Sequence, residues 1–436
     1  MTASAAPSPQ SSGAQKTRWR PDPVLVTLCV TQLISWGTLY YVLPAVAAEI
    51  VADTGWSLVS VMAAFSAGLL VSAGVGVGFG GLLDRFGGRV VVALSSALAT
   101  AGVALVATAS TFPMFVVAWV VVGVAQAGVL YQAAFTVIGL RYGAAAGRPL
   151  LVVTLVAGLA STLYVPGATL LAEVVGWRGT YLVLGALLAV VTIPLHALLL
   201  PRRDPVPRQV PNGERMENPV VVRSSRFIRL CLGVTLLSFS VYAVSLNLIP
   251  LLSERGIDAR AAALLLGLVG VGQVVGRVLF TVLNRVVPLP LRALLVGAVA
   301  SLTLVAFALI SGPFAVLVLL ALLAGAARGA LTLVQATAVV ERWGTERLGT
   351  LNGVFSAPIT ASIALAPVAG VALAAAVGSF PLAVALLAGV AAVGALLVFE
   401  RPRRGAHLTE VGRRALGHQG PCADRRDEDW QRQALR

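Results

Sequence analysis

Long apolar runs separated by short polar gaps make up nearly the whole chain. Twelve of them reach the roughly 20 residues that a helix needs to cross a hydrocarbon core. They cover about 24–48, 57–83, 89–109, 113–140, 149–174, 179–200, 227–252, 260–284, 290–311, 314–340, 349–376 and 379–399. Membrane strands would be about ten residues long and alternating. These runs are longer and continuously apolar, so each predicts a helix that satisfies its own backbone. The pattern predicts an all-α integral membrane protein with twelve transmembrane helices.

Composition agrees. Of 436 residues, 58% are hydrophobic and 11% charged, and the mean hydropathy is +0.90. Soluble domains carry about a quarter charged residues, so part of this chain's solvent must be lipid. The net charge of +14 raises the question of nucleic acid, but the distribution answers it. Basic residues lie in the gaps between runs and in the two tails, which is the pattern of membrane topology. With the N-terminus in the cytosol, the outer loops hold only Arg178, Arg255 and Arg260, and two more arginines lie within spans. The remaining 27 of the 32 basic residues then face inward, which predicts a multi-pass protein of the cell membrane with both termini cytosolic. Cys29, Cys231 and Cys422 imply no disulfide framework.

The polar gaps also divide the chain. Residues 1–23 read as a disordered cytosolic tail and 24–200 as a first six-helix bundle. Residues 201–226, rich in Pro and Arg, read as a cytosolic linker. A second six-helix bundle covers 227–399, and 400–436 form a cytosolic tail. The halves repeat one another. Asp84-Arg85 returns as Asn284-Arg285, Pro113 as Pro313, and Arg141-Tyr142-Gly143 as Arg342-Trp343-Gly344. Pro166 returns as Pro367 and Gly176 as Gly378, all at offsets of 200–202. Six spans per unit give both units the same orientation, so the repeats are parallel, an arrangement suited to a site between halves that rock.

Between spans two and three stands Gly80-Gly81-Leu82-Leu83-Asp84-Arg85-Phe86-Gly87-Gly88-Arg89. This resembles the signature loop of the major facilitator superfamily, which Gly80, Asp84, Arg85, Gly87 and Arg89 match; Gly88 stands where the family usually has a basic residue. The resemblance covers about 24–400 and implies secondary transport by alternating access. It also implies a gate in which Asp84 holds the start of span eleven near Arg347 to Leu351, with Arg85 and Arg89 completing the charge cluster. Gly80 would let another helix approach span two closely. A narrower resemblance is to bacterial relatives of monocarboxylate transporters. Its carriers are Gln32-x-x-Ser35-Trp36-Gly37-x-x-Tyr40-Tyr41, Leu248 to Gly256, and Gln273-x-x-Gly276-Arg277. In that group the span-eight arginine binds the substrate carboxylate, and an aspartate four residues before it assists proton coupling. Arg277 matches the arginine, and Gln273 replaces the aspartate.

A charge at bilayer depth is costly and usually faces a cavity. Arg277 in span eight and Arg328 in span ten qualify, and no Asp or Glu lies deep in any span to pair with them. A guanidinium fork without a carboxylate partner suits an anionic ligand; a carbonyl cluster between helices is the competing reading. In the family fold, spans one, four, seven and ten surround the cavity. Their polar and aromatic residues are Gln32, Trp36, Tyr40 and Tyr41; Gln126, Tyr131 and Gln132; Tyr242 and Asn247; and Gln335. As a set they read as a cavity lining, although each singly fits interhelical bonding or packing. His196, near the inner end of span six, reads as interfacial, and Trp56, Trp177 and Trp343 read as interface anchors.

The chain has no nucleophile–base pair and no metal-ligand spacing, which argues against an intramembrane enzyme and predicts no cofactor and no metal. The expected function is transport of a small organic solute, a monocarboxylate or similar anion, by a monomer in the lipid bilayer, with a proton as the candidate coupling ion. Efflux of drug-like compounds is the alternative within transport. A non-transporting sensor or scaffold is the alternative outside it.

Overall fold

The computed structural model describes residues 22–143, 146–201, 219–343 and 348–399. Among these residues every regular element is helical. Span one is Pro23–Trp36, a π-helical turn Gly37–Tyr41, and Val42–Thr54. Span two is Leu58–Phe86 and span three Gly88–Thr108. Span four is Phe112–Val129 and Tyr131–Tyr142, parted at Leu130. Span five begins as Gly147–Gly158 and continues past Leu159 into one long helix, Ala160–Leu199. That helix holds spans five and six, divided at Gly176. Span seven is Ser225–Leu246 and Leu248–Glu254, parted at Asn247. Spans eight to twelve are Ala259–Val286, Leu289–Leu309, Phe314–Trp343, Leu348–Val377 and Phe380–Leu397.

Helix ends reveal the repeat more fully than the side chains do. Gly55 and Gly256, which close spans one and seven, have φ of +72° and +79°. Gly176 and Gly378, between the last two spans of each repeat, have +69° and +77°. Left-handed backbone favours glycine, so the turn geometry requires the residue at all four places. Ser57 and Asp258 are N-caps in the same position of each repeat, accepting from Ser60 N–H and Ala261 N–H.

Span three packs on four and six, and two on four; span nine packs on twelve, seven on eleven and twelve, and eight on ten. Between the repeats, span two lies along eleven and span five along eight. The Val368 N–H reaches Ser66 Oγ at 3.3 Å, and Thr162 Oγ1 donates to Gly267 O at 2.9 Å. Farther out, Arg260 forks onto Glu173.

Arg178, Arg255 and Arg260 all serve helix ends or this seam. Arg178 bonds Asp53 and the carbonyl of Ala109, past the end of span three; Arg255 bonds the carbonyls of Ala308 and Ile310 at the end of span nine. A cation there meets unpaired carbonyls and the negative end of the helix dipole. Two sequence expectations are corrected. His196 is fully buried, with Nδ1 2.8 Å from Ser96 Oγ, because the C-terminal part of span six packs on span three. Trp177 is buried too, its Nε1 donating to Asp53 at 3.0 Å.

At the opposite end of the helices, Asp22 caps span one and ties it to span four. It accepts from Arg141 at 3.1 Å and from the Tyr142 hydroxyl at 2.7 Å. Burial works against its charge, but the hydrogen bonds from Arg141, Tyr142 and the Val24 N–H outweigh it and hold the carboxyl below its ordinary 3.8. A depressed folded-state value stabilises the fold above the unfolded value, and that stabilisation fades as pH falls through the folded one. Wild type should therefore melt above Asp22→Asn at about pH 6, and the gap should narrow as pH falls below the ordinary 3.8 and on through the folded value. A gap that stays constant across this range would show that the tie does not depend on the charge.

Candidate functional site

Span one is irregular at its centre, and the site is built on that irregularity. A π turn inserts one extra residue, which rotates the remainder of the helix by about 100°. As a result Tyr40 and Tyr41 both point inward and are both buried. Gly37 opens the turn because a Cβ there would sit 2.2 Å from the Tyr164 ring of span five.

Two glutamines hold the irregular segments of spans one and four against each other. Gln32 Nε2 donates to Val129 O at 2.5 Å, beside the break at Leu130. Gln126 Nε2 donates to Leu39 O at 2.8 Å, inside the π turn. Each satisfies a carbonyl in the other's disrupted helix, as buried backbone requires. Asn247 does the same in span seven, donating to Ala243 O at 2.8 Å and Pro367 O at 3.1 Å. These three are interhelical clamps whose side-chain oxygens, Gln32 Oε1, Gln126 Oε1 and Asn247 Oδ1, remain buried without a partner.

Around this frame the aromatic rings form a continuous chain. Tyr131 lies 4.7 Å from Trp36, Trp36 5.2 Å from Tyr40, and Tyr40 5.1 Å from Tyr41. Phe135 stacks on Tyr131 at 5.0 Å, and Phe65 meets Tyr40 at 5.4 Å. Trp36 Nε1 and the Tyr40 hydroxyl are buried without partners.

The two intramembrane arginines reach this chain from the other repeat. Arg328 is 2% exposed, its guanidinium 4.1 Å over the Tyr242 ring and its Nη2 3.3 Å from the Tyr41 hydroxyl. Arg277 is 3% exposed; its Nη1 donates to the backbone carbonyl of Thr154 in span five, and the Tyr131 hydroxyl lies beside it. Arg277 Nε and Arg328 Nε and Nη1 have no hydrogen-bond partner. Among the described residues neither arginine meets a carboxylate. Both are placed by a seam of glycines. A Cβ on Gly272 or Gly276 of span eight would lie 2.2 or 2.0 Å from the carbonyl of Leu322 or Ala326 of span ten. A Cβ on Gly325 or Gly329 would meet the carbonyl of Val269 or Gln273 at 2.2 Å. Backbones touch along this line, so Arg277 and Arg328, one residue from Gly276 and Gly329, flank the same contact.

Gln273 is buried, its Nε2 unpartnered. Gln132 is exposed and lies against Gly76, where a Cβ would sit 2.0 Å from its Oε1. Gln335 is half-buried on span ten. Of the gate residues, Arg85 is exposed over the Phe86 ring, and Arg89 bonds the carbonyls of Leu200 and Leu198 at 2.6 and 3.0 Å, capping span six. The surroundings of Gly80, the side chain of Asp84, residues 344–347 and the side chains of 348–350 lie outside the described residues, and the expected latch falls there. Thr154, Gly158, Tyr164 and Phe65 belong to the site, but the sequence does not single them out, because nothing along the chain marks which face of a span meets the site.

Known proteins share this architecture. The Major Facilitator Superfamily profile matches residues 28–314 and 230–424. No curated protein matches the chain in sequence. Among solved structures, a mutant form of the nucleoside transporter NupG is similar with a TM-score of 0.68 at 14% identity, over 86% of this chain and 98% of that one. A bacterial homologue of the human lysosomal transporter Spinster, in an inward-facing and occupied conformation, is similar with a TM-score of 0.59 at 17% identity, over 86% and 94%. At these identities the likeness is one of fold.

Proposed function

The chain belongs to the major facilitator superfamily, and from that premise we propose that it carries a small organic anion, a monocarboxylate or similar acid, across the cell membrane by alternating access. Membership makes it a multi-pass membrane transporter rather than an enzyme. The substrate class rests on one observation. Two buried guanidiniums face an aromatic cluster with three of their N–H-bearing nitrogens unpaired and no carboxylate partner among the described residues. A buried charge left without its counter-ion is costly. A carboxylate entering between the repeats would supply that counter-ion, and Trp36, Tyr40 and Tyr131 would cover its apolar body. The rocking units in this reading are residues 24–200 and 227–399, joined by a cytosolic linker at 201–226, with both termini inside. A coupling proton has no carboxylate at Gln273 to receive it, so coupling in this site would need a group elsewhere.

A thermal-shift screen of purified protein tests the substrate class, comparing small carboxylates, neutral sugars and lipophilic cations on wild type, Arg277→Gln and Arg328→Gln. A ligand at 100 times its Kd stabilises by about 2.7 kcal/mol. Carboxylates should raise the wild-type midpoint and lose that effect in both variants. A rise with lipophilic cations that survives both substitutions would instead support drug efflux. For the gate, Asp84→Ala should slow transport more than it weakens binding, and equal loss of both would count against a latch at Asp84.

A further inference from the structure

We propose that Arg277 couples occupancy of the site to movement of the two repeats. Its guanidinium clasps the carbonyl of Thr154 in span five, and a carboxylate that binds it draws the guanidinium off that carbonyl and frees the adjoining part of span five from span eight. The inference rests on the anion reading above.

The clasp is built into both helices. Span five stops being regular after Gly158, where Leu159 turns its N–H to Val156 O and a new helix starts at Ala160. Thr154 O therefore lies near the C-terminal end of a short inner segment, where backbone dipoles point their negative end at a cation. Gly158 leaves the room that the guanidinium fills, since a Cβ there would sit 2.7 Å from Arg277 Nη1. The rest of the seam between spans five and eight lies farther out. There Thr162 meets Gly267, and Arg260 meets Glu173. Among the described polar contacts of this seam, the clasp is the innermost.

The chemistry also sets a direction. A guanidinium held by a neutral carbonyl and a neutral hydroxyl, its Nε unpaired in a buried site, holds only part of what it can bind. A carboxylate offers two charged acceptors in the matching geometry and competes with advantage. Arg328 differs, being held by the side chains of Tyr41 and Tyr242 rather than by backbone. Arg277 alone of the two therefore trades a backbone bond across the repeats for a ligand.

The test separates clasp from substrate. Spin labels at Gly147→Cys and Val286→Cys, in a background with the native cysteines replaced by serine, report the distance between the inner ends of spans five and eight. A hydrogen bond to a charged group is worth about a tenfold change in population. Without ligand, Gly158→Ala and Arg277→Gln should each raise the parted population about tenfold over wild type. Lactate and benzoate should part wild type and add nothing to Arg277→Gln. Ligand-free distributions that coincide in wild type and both variants would overturn the clasp. Wild type that is thermally stabilised by a carboxylate yet keeps its ligand-free distances would overturn the coupling and leave the anion reading intact. Wild type that no carboxylate stabilises would sink that reading and this inference with it.

Discussion

Replacing Gly276 with valine should leave little folded transporter. The Cβ alone would sit 2.0 Å from the carbonyl oxygen of Ala326 and 2.5 Å from its Cα. These are backbone atoms, so the strain cannot be relieved by a rotamer change. Spans eight and ten would have to part, and with them the contacts at Gly272, Gly325 and Gly329, where the same test finds backbone at 2.2 Å each time. Association of helices in lipid depends on close packing, because lipid tails match the apolar side chains. Overpacking of this kind costs about 3 kcal/mol or more. Gly167→Ala and Gly389→Ala serve as controls, since a Cβ at either meets nothing within 4 Å. The melting midpoint in detergent should fall sharply for Gly276→Val and stay near wild type for both controls. A Gly276→Val protein melting with wild type would mean that the seam is not a close contact.

That seam also shows what the sequence could and could not reveal. The twelve spans were legible because a bilayer asks for long apolar runs, and the repeat was legible in residues such as Pro113 and Pro313 or Gly176 and Gly378 at one offset. The depth of Arg277 and Arg328 could be counted along spans eight and ten. Which face of each span meets a neighbour could not be read in the same way. A lipid-facing Leu302 and a core Leu304 are equally apolar, yet one is 67% exposed and the other 3%. Hydropathy separates helix from water, and in lipid it does not separate helix from helix. The breaks were hidden for a related reason. The π turn at Gly37–Tyr41 and the steps at Leu130 and Leu159 carry no polar signature of their own. They are held by partners almost a hundred residues away, such as Gln32 on Val129 and Gln126 on Leu39. Read along the chain, those glutamines suggest a cavity; across the fold, their amide nitrogens serve backbone. His196 failed in the same manner, since only the packing of span six on span three explains its burial.

Arg328→Gln should weaken carboxylate binding by roughly a few hundredfold and at the same time make the empty protein harder to melt. The two effects have opposite signs because they come from one fact. Arg328 is 2% exposed and lacks a carboxylate partner among the described residues, and its Nε and Nη1 are unbonded. The Tyr242 ring at 4.1 Å and the Tyr41 hydroxyl at 3.3 Å return part of the lost hydration. A cation on an aromatic face is worth about 2 kcal/mol when desolvated, while desolvating the ion costs several. A buried charge left without its partner costs about 3–5 kcal/mol, and the neutral glutamine relieves part of that cost. Binding moves the other way. Truncating one member of a buried charged pair costs about 2–5 kcal/mol, roughly three-hundredfold in Kd at the middle of that range. Arg328→Lys keeps the charge but loses the planar fork, so it should recover little of the binding. Tyr41→Phe removes one hydroxyl and should weaken binding only slightly, because the guanidinium would turn to the ligand. Melting curves with and without carboxylate, run on all three variants, read both quantities in one experiment. If Arg328→Gln melts well below wild type, the arginine is a structural brace and the anion site must be sought elsewhere. If it melts higher and no longer responds to carboxylate, the instability it removes is the one the substrate is there to relieve.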